Sequence, residues 1–178
     1  MIGPITPKDL VLPPVDVWFR RWFVLTAGDM SKYNSMTVAW GSIGGIWEMP
    51  MVQVVVRPVR YTFGFMNDFA TFTLCSFPAK YRKDVALLGS QSGRDGDKIA
   101  LTRLTPVKSA AVAAPSFKEA DLVLECRKMY WQDLDPAHFL SEHIMPNYPE
   151  RDFHRVFFGE ILRILGSDEF KRDGLRES

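Results

Sequence analysis

Cysteine is scarce in this sequence, and the spacings by which cysteines usually bind metals are missing. The chain has two cysteines among 178 residues, Cys75 and Cys126, and no Cys-x-x-Cys pair. This excludes the common zinc and iron–sulfur ligand sets. Both cysteines lie in apolar, strand-like segments, which favours reduced and buried thiols over a disulfide.

Excess charge and long apolar runs are absent as well. Lys and Arg number 22 against 21 Asp and Glu, so the net charge is +1 and no global field attracts nucleic acid or a membrane. No apolar run is long enough to cross a bilayer, and the N-terminus lacks the basic-then-apolar order of a signal peptide. The sequence predicts a cytoplasmic protein whose partners include neither nucleic acid nor membrane.

Familiar catalytic motifs are missing too. The chain has no Gly-x-Gly-x-x-Gly, no P-loop and no serine nucleophile elbow, and its aspartates form no pair typical of acid–base catalysis. His138, His143 and His154 lie too far apart to predict a metal site, and each is interpreted as a surface or capping histidine. We therefore identify no catalytic residue and no metal ligand, and expect any reaction to use a bound cofactor.

The residues that are present predict one mainly β domain spanning 1–178. Apolar and charged fractions of 47% and 24% are ordinary, while an aromatic fraction of 13% is high and is typical of a tight core, a subunit interface or a stacking site. Strand-forming segments, the sixth of them bent or bulged, lie at 18–29, 36–41, 51–58, 72–77, 107–114, 120–133 and 154–165. The clearest helix lies at 78–89, between a proline and a glycine. About six strands and a few short helices indicate a small antiparallel barrel, with an extended lead-in at 1–14 and a charged tail at 166–178.

The segment "YNSMTVAW" (33–40) combines small polar residues with a strand and a tryptophan. The backbone edge from Ser35 to Val38 is able to pair with the donor–acceptor edge of a planar ring, and Trp40 is able to stack on one. A turn plus a core tryptophan explains the same residues, and taken alone that interpretation is favoured. The following "GSIGG" (41–45) lacks the lysine and helix of a phosphate loop and is interpreted as a loop that permits close chain approach.

The segment "RPVRYT" (57–62) places two arginines directly behind an apolar strand. Planar guanidinium groups at Arg57 and Arg60 suit a phosphate, and Pro58 breaks the strand alternation so that both arginines point the same way as Thr62. Solvated arginines paired with carboxylates are an equally good interpretation. In "SGRDGDK" (92–98), glycines permit tight turns and Lys98 supplies a mobile positive charge, although a solvated loop is the favoured interpretation of that segment alone.

Taken together and in order, these segments resemble a known family. The stretches "NSMTVAWGSIGGIWEMPMVQVVVRPVRYT", "LLGSQSGRDGDKI", "LVLECRKMYWQDLDP" and "HRVFFGEI" resemble the flavin reductase-like, FMN-binding split-barrel proteins, and within them the flavoredoxin-like group. The resemblance runs from Phe19 to Leu165. It implies a six-stranded antiparallel Greek-key split β-barrel that forms a homodimer and binds FMN non-covalently near the subunit interface.

The resemblance also implies which residues contact the cofactor. Residues on the isoalloxazine side, mostly through their backbone, are Asn34, Ser35, Met36, Thr37 and Val38, with Trp40 close by. The phosphate and ribityl side is matched by Arg57, Arg60, Tyr61 and Thr62, and Lys98 matches a lysine that reaches the flavin. His138 lies in a region where some relatives add a further contact.

The function implied is an FMN-dependent oxidoreductase. Electrons would come from NADH, NADPH or a protein donor, and would pass to an acceptor that includes a possible redox protein partner. A tight FMN carrier and a reductase that uses FMN as a substrate are both compatible with the motifs. A non-catalytic ligand-binding or interaction module on the same barrel is the alternative.

Overall fold

The computed structural model describes residues 2–172. Its strands are β1 (Gly3–Ile5), β2 (Phe23–Gly28), β3 (Tyr33–Val38), β4 (Gly41–Ile46), β5 (Met49–Val56), β6 (Thr71–Ser76), β7 (Pro106–Val107), β8 (Ser116–Phe117), β9 (Leu122–Asp133) and β10 (Arg155–Gly166). Its α-helices are α1 (Tyr61–Asp68) and α2 (Arg82–Ser90). None of the helices within these residues is long and apolar enough to span a membrane.

One antiparallel sheet forms the body of the molecule, in the order β3-β2-β6-β9-β10-β5-β4, with β1 added on β10. Met36 of the end strand β3 joins the same buried core as Val52 and Val54 of β5, which lies next to the opposite end strand, so the sheet curls into a barrel. No ladder joins β3 to β4 or β5 within residues 2–172, so the barrel is split there and β3 keeps one free backbone edge. The prediction of a mainly β split barrel is confirmed, with eight strands in the main sheet rather than about six.

The two long strands β9 and β10 curve around the core. Their pairing register shifts beside Gly159 and again between Ile161 and Arg163. Such bulges bend a strand and increase its twist, as closure of a barrel requires. The expectation of a bent or bulged strand at 120–133 is therefore confirmed.

The prediction of one strand over 18–29 is wrong in its first part. Val17–Arg21 forms a π-helical turn, and the strand begins at Phe23 after Trp22 adopts a positive φ of 64°. The turn buries Val17 and Trp18 and leaves the side chain of Arg20 exposed. These two apolar neighbours face the core together, which the two-residue alternation of a strand does not allow.

The prediction of a loop at 41–45 is also wrong, because these residues form most of β4. Gly41 nonetheless lies in a close approach: a Cβ there would sit 2.4 Å from the Gln53 carbonyl oxygen and 2.5 Å from the Trp18 ring. Gly41 therefore allows β4 to pair with β5 over a packed tryptophan. The sequence pattern of glycines resembled a loop because it lacks the side chains by which strands are recognised.

The predicted strand at 107–114 is confined to Pro106–Val107. The residues that follow bend around the buried carboxylate of Glu125, which accepts hydrogen bonds from the N–H groups of Ala110 and Ala111. Arg163 donates to the same carboxylate at 3.0 Å. A buried charge thus replaces the strand partner that the backbone would otherwise need.

The segments predicted as an extended lead-in and a charged tail both make packed contacts in their described parts. β1 pairs with β10, Phe170 is buried, and the N–H of Arg172 donates to the Asp9 carbonyl at 2.8 Å. The rest of the predicted tail, 173–178, lies outside the described residues. Both cysteines are buried and free, as expected, and burial raises the pKa of each thiol.

Candidate functional site

Two adjoining cavities lie beside the free edge of β3. The first has a volume of about 310 Å³ and is lined by Asn34, Met36, Arg57, Val59, Arg60, Tyr61, Thr62, Leu88, Ser90, Gln91, Ser92, Gly93, Arg94 and Lys98. The second has a volume of about 280 Å³ and is lined by Met36, Thr37, Val38, Ala39, Trp40, Val55, Arg57, Arg60 and His154. They share Met36, Arg57 and Arg60, so they form one elongated site.

Most of the residues singled out in the sequence meet here. Those that line one or both cavities are Asn34, Met36, Thr37, Val38, Trp40, Arg57, Arg60, Tyr61, Thr62 and Lys98. Ser35 does not: it is fully buried, and its hydroxyl pairs with that of Thr26 at 2.8 Å. His138 is exposed on a 3-10 turn and lines neither cavity.

A tight turn joins β5 to α1 at the cationic end of the site. The N–H of Arg60 donates to the Arg57 carbonyl at 3.0 Å, and Pro58 occupies the second turn position, which suits its fixed φ. Arg60 then precedes the first turn of α1, where Thr62 accepts a hydrogen bond from Asn34 Nδ2 at 2.6 Å. The first N–H groups of a helix lack partners within it and attract anions.

The charges around the first cavity are of one sign. Arginine or lysine occurs four times in its lining, and none of the described residues that line it is a carboxylate. One of these cations, Arg57, is already paired with a carboxylate, that of Asp152 at 3.2 Å. For Arg57, the carboxylate-paired interpretation is therefore the one that the structure shows.

Arg60 and Arg94 are the more available cations. Arg60 Nη1 donates to the Gly89 carbonyl at 3.1 Å, and Arg94 Nη1 donates to the Val59 carbonyl at 3.0 Å. Both residues are exposed, and each uses one nitrogen of a guanidinium group that can donate five hydrogen bonds. Sequence reasoning missed Arg94, although it stands inside the same "SGRDGDK" segment as Lys98.

Lys98 differs from the mobile cation that the sequence predicted. It is only 5% exposed, and its ammonium group donates to the carbonyls of Leu88 at 2.8 Å and Gln91 at 2.9 Å. Burial, followed by repulsion from Arg60, lowers its pKa to about 8. Lys98 thus fixes the end of α2 and the following loop while adding positive charge to the cavity wall.

His154 is the main residue that sequence reasoning missed. Its interpretation as a surface or capping histidine is wrong, because it is 8% exposed and lines the second cavity beside Trp40, with ring centroids 5.2 Å apart. Its Nδ1 lies 2.8 Å from the Tyr148 hydroxyl. The available signal was its place at the head of the "HRVFFGEI" strand, which carries it to the split in the barrel.

We expect His154 to make stability depend on pH. Burial, followed by the charge of Arg57, lowers the His154 pKa from 6.5 to about 4, so the unfolded chain takes up this proton at higher pH than the folded chain. The free energy of unfolding should therefore be highest above pH 6.5 and fall by up to about 3 kcal/mol as pH drops to 4. Urea titrations at pH 7 and 5 should show a larger loss for the wild type than for His154→Gln, and equal losses would contradict this assignment.

A larger cavity of about 400 Å³ lies between the N-terminal segment and β4. Its lining includes Leu10, Trp18, Ile43 and Ile161, and none of the described residues that line it is charged. Nor does any group of three or more His, Cys, Asp and Glu side chains within residues 2–172 suit a metal ion. We therefore take the site beside β3 as the candidate functional site, because charged and polar side chains converge on it.

Comparison with known proteins places the chain in a family. The model of the flavin reductase-like domain matches residues 20–175, and the chain belongs to that family. An uncharacterised protein of Archaeoglobus fulgidus is 28% identical over 151 residues, which cover 85% of this chain and 75% of that one.

Two solved structures show the same fold. The flavoredoxin of Desulfovibrio vulgaris (Miyazaki F) is 23% identical, with a TM-score of 0.66 over 92% of this chain and 75% of that chain. An FMN-binding protein from Thermus thermophilus, with p-hydroxybenzaldehyde bound, is 18% identical, with a TM-score of 0.66 over 89% of this chain and 78% of that chain.

Proposed function

We propose that the protein is an oxidoreductase that binds FMN non-covalently along the free edge of β3. The observation that carries this proposal is the joining of a cationic cavity at the start of α1 to a cavity that runs along an unpaired strand edge. Membership of the flavin reductase-like family supports it. So do the names of two structural neighbours, a flavoredoxin and an FMN-binding protein.

The residues present suit each part of this cofactor. Arg60, Arg94 and the first N–H groups of α1 would hold the phosphate, because charge-assisted hydrogen bonds and a helix N-terminus both favour an anion. Backbone groups from Ser35 to Val38 would pair with the polar edge of the ring system, so burial of the Ser35 side chain does not oppose its role. Trp40, 43% exposed in the second cavity, would offer an aromatic surface.

The chemistry of electron transfer would come from bound FMN, which accepts or donates a hydride or single electrons. The chain itself positions the cofactor and sets its electrostatic surroundings. Positive charge at Arg60 and Lys98 favours negative charge nearby, and therefore favours the reduced, more anionic state of a bound redox group. The absence of a nucleophile or acid–base pair from the motifs agrees with that division of labour.

Electrons are proposed to enter from NADH or NADPH. Anaerobic mixing of the FMN-loaded protein with each nicotinamide should bleach the flavin absorbance near 450 nm, in roughly the millisecond-to-second range of ordinary enzyme turnover. Dithionite serves as the control that the flavin is reducible. Bleaching by dithionite but by neither nicotinamide would contradict the reductase assignment and favour a carrier that exchanges electrons with a protein partner.

The family resemblance also supports proposals about assembly and location. A homodimer with FMN near its interface and a place in the cytoplasm both remain predictions of the family resemblance. Light scattering of the FMN-loaded protein should report twice the chain mass of 20.3 kDa. A monomer that still binds FMN would show that one chain completes the site.

A further inference from the structure

A further cavity, separate from the site beside β3, lies where the chain enters α2. It has a volume of about 360 Å³, and none of its lining residues lines either cavity of the site beside β3. Its lining contains three arginines and four apolar residues, and none of the described residues that line it is a carboxylate. The proposed function makes no use of this cavity.

The guanidinium group of Arg82, one of the three arginines, is held in a fixed position. Its Nη1 donates to the backbone carbonyls of Arg20 and Arg21, the second at 3.1 Å. The group also lies over the ring of Trp22, 3.3 Å from the ring centroid. Neither a carbonyl nor an aromatic face neutralises a positive charge, so these contacts orient the guanidinium and leave its charge in place.

Arg82 also keeps hydrogen-bond donors that have no acceptor. Within residues 2–172 its Nε and Nη2 atoms make no hydrogen bond. None of the ion pairs formed by these residues includes Arg82. Nε–H and one Nη2–H form the parallel pair of donors that matches the two oxygens of a carboxylate. Arg82 therefore offers a partly buried anion contact at the wall of an apolar cavity.

The other two arginines have carboxylate partners. Arg21 is paired with Asp121 and with Glu169, the second at 3.1 Å. Arg20 is 80% exposed and lies 3.4 Å from Asp16. One cation is thus left without a carboxylate, which suits a ligand with a single negative charge. A phosphate carries more than one charge at pH 7, and Asp121 and Glu169 would repel the excess.

Apolar side chains decide what the rest of the ligand must be. Phe77 and Val85 are buried, and Pro78 and Ala79 complete the apolar part of the lining. A ligand whose body is apolar gains from covering this surface, whereas a fully polar acid does not. A volume of about 360 Å³ is near the lower end for ligand sites and suits a body of about one ring.

We propose that this cavity binds a small carboxylic acid with an apolar body, such as an aromatic acid. Its two carboxylate oxygens accept hydrogen bonds from Nε and Nη2 of Arg82, while its ring packs on Phe77 and Val85. This inference does not rest on the proposed function, because the cavity and the site beside β3 share no lining residue.

The test is a heteronuclear NMR titration of the purified protein with benzoate, in excess FMN so that the cations beside β3 are occupied. We expect saturable shifts of the backbone amides of Ala79, Arg82 and Val85. Benzyl alcohol, which keeps the ring but lacks the charge, should bind about tenfold or more weakly, as should inorganic phosphate. Equal affinity for benzoate and either of these two probes would overturn the inference.

Three variants locate the contact. Arg82→Gln should weaken benzoate binding by about tenfold or more, whereas Lys83→Gln, which removes an exposed neighbouring charge outside the lining, should change it less than about twofold. Ala79→Phe adds a ring at an exposed position of the lining and should block both benzoate and benzyl alcohol while Arg82 is intact. Unchanged benzoate binding in a folded Arg82→Gln or Ala79→Phe protein contradicts the proposal.

The shift map separates this inference from the proposed function. Benzoate shifts confined to residues beside β3, such as Gly93 and Arg94, would overturn the inference and assign the ligand to that site. Circular dichroism of each variant reports folding, and Ala79→Phe decides the matter if Arg82→Gln does not fold. If FMN does not bind, the proposed function is refuted, while the shifts at Ala79, Arg82 and Val85 still decide whether this cavity takes the acid.

Discussion

Replacement of Arg60 by alanine should weaken FMN binding by about fivefold to 150-fold. Loss of a charge-assisted hydrogen bond to a phosphate costs about 1–3 kcal/mol, which sets that range. Arg60 lines both cavities, stands at the start of α1 and uses one guanidinium nitrogen on the Gly89 carbonyl, so the others are available. Quenching of FMN fluorescence on titration with protein measures the effect.

Two other arginines are the matched controls for this experiment. Arg20→Ala removes a guanidinium whose side chain is 80% exposed outside both cavities, and should leave FMN affinity unchanged. Arg57→Ala should cost less than Arg60→Ala, because Asp152 already compensates the charge of Arg57. If Arg60→Ala binds FMN as tightly as the wild type does, Arg60 does not hold the phosphate.

Replacement of Gly93 by alanine should damage the site from the loop side. An ideal Cβ on Gly93 would lie 2.1 Å from Asn34 Oδ1 and 3.0 Å from the Tyr61 ring. Either the loop that carries Arg94 moves away, or Asn34 rotates and loses its 2.6 Å bond to Thr62. We expect FMN affinity to fall by about tenfold or more and the free energy of unfolding to fall by about 1–3 kcal/mol.

Gly64→Ala is the control for the Gly93 substitution. Gly64 lies inside α1, and an added Cβ there would meet nothing within 4 Å. Alanine is favoured over glycine in a helix, so the free energy of unfolding of this variant should be about 0.5–1 kcal/mol higher than that of the wild type. Its FMN affinity should be unchanged. An affinity of Gly93→Ala equal to that of Gly64→Ala would show that the loop does not shape the site.

Local sequence patterns predicted the parts of the fold that depend on contacts between residues close together in the sequence. Pro58 correctly indicated a break in the strand, since β5 ends at Val56, and the helix predicted at 78–89 appears as Ala79–Tyr81 and Arg82–Ser90. Strand β4 was missed, because its glycines carry no strand signal and its pairing with β5 and packing on Trp18 are tertiary facts. The strand predicted at 107–114 fails for the same reason, because backbone N–H groups of this segment donate to the buried carboxylate of Glu125, which lies outside it.

The candidate site was predictable as a set of segments but not as a set of contacts. The resemblance named residues that the fold does bring to one edge of β3. It could not show that Arg57 is held by Asp152, nor that Lys98 is fixed by two backbone carbonyls. His154 was missed for the same reason, since its burial and its bond to Tyr148 depend on how β10 meets the split in the barrel.

The central claim is that this chain binds FMN at the site beside β3. Titration of FMN with the purified protein, followed by flavin fluorescence and visible absorbance, tests it most directly. We predict a saturable change in both signals, with one FMN bound per chain and a weaker affinity in Arg60→Ala. If FMN keeps its free fluorescence and spectrum at every protein concentration, the account is wrong.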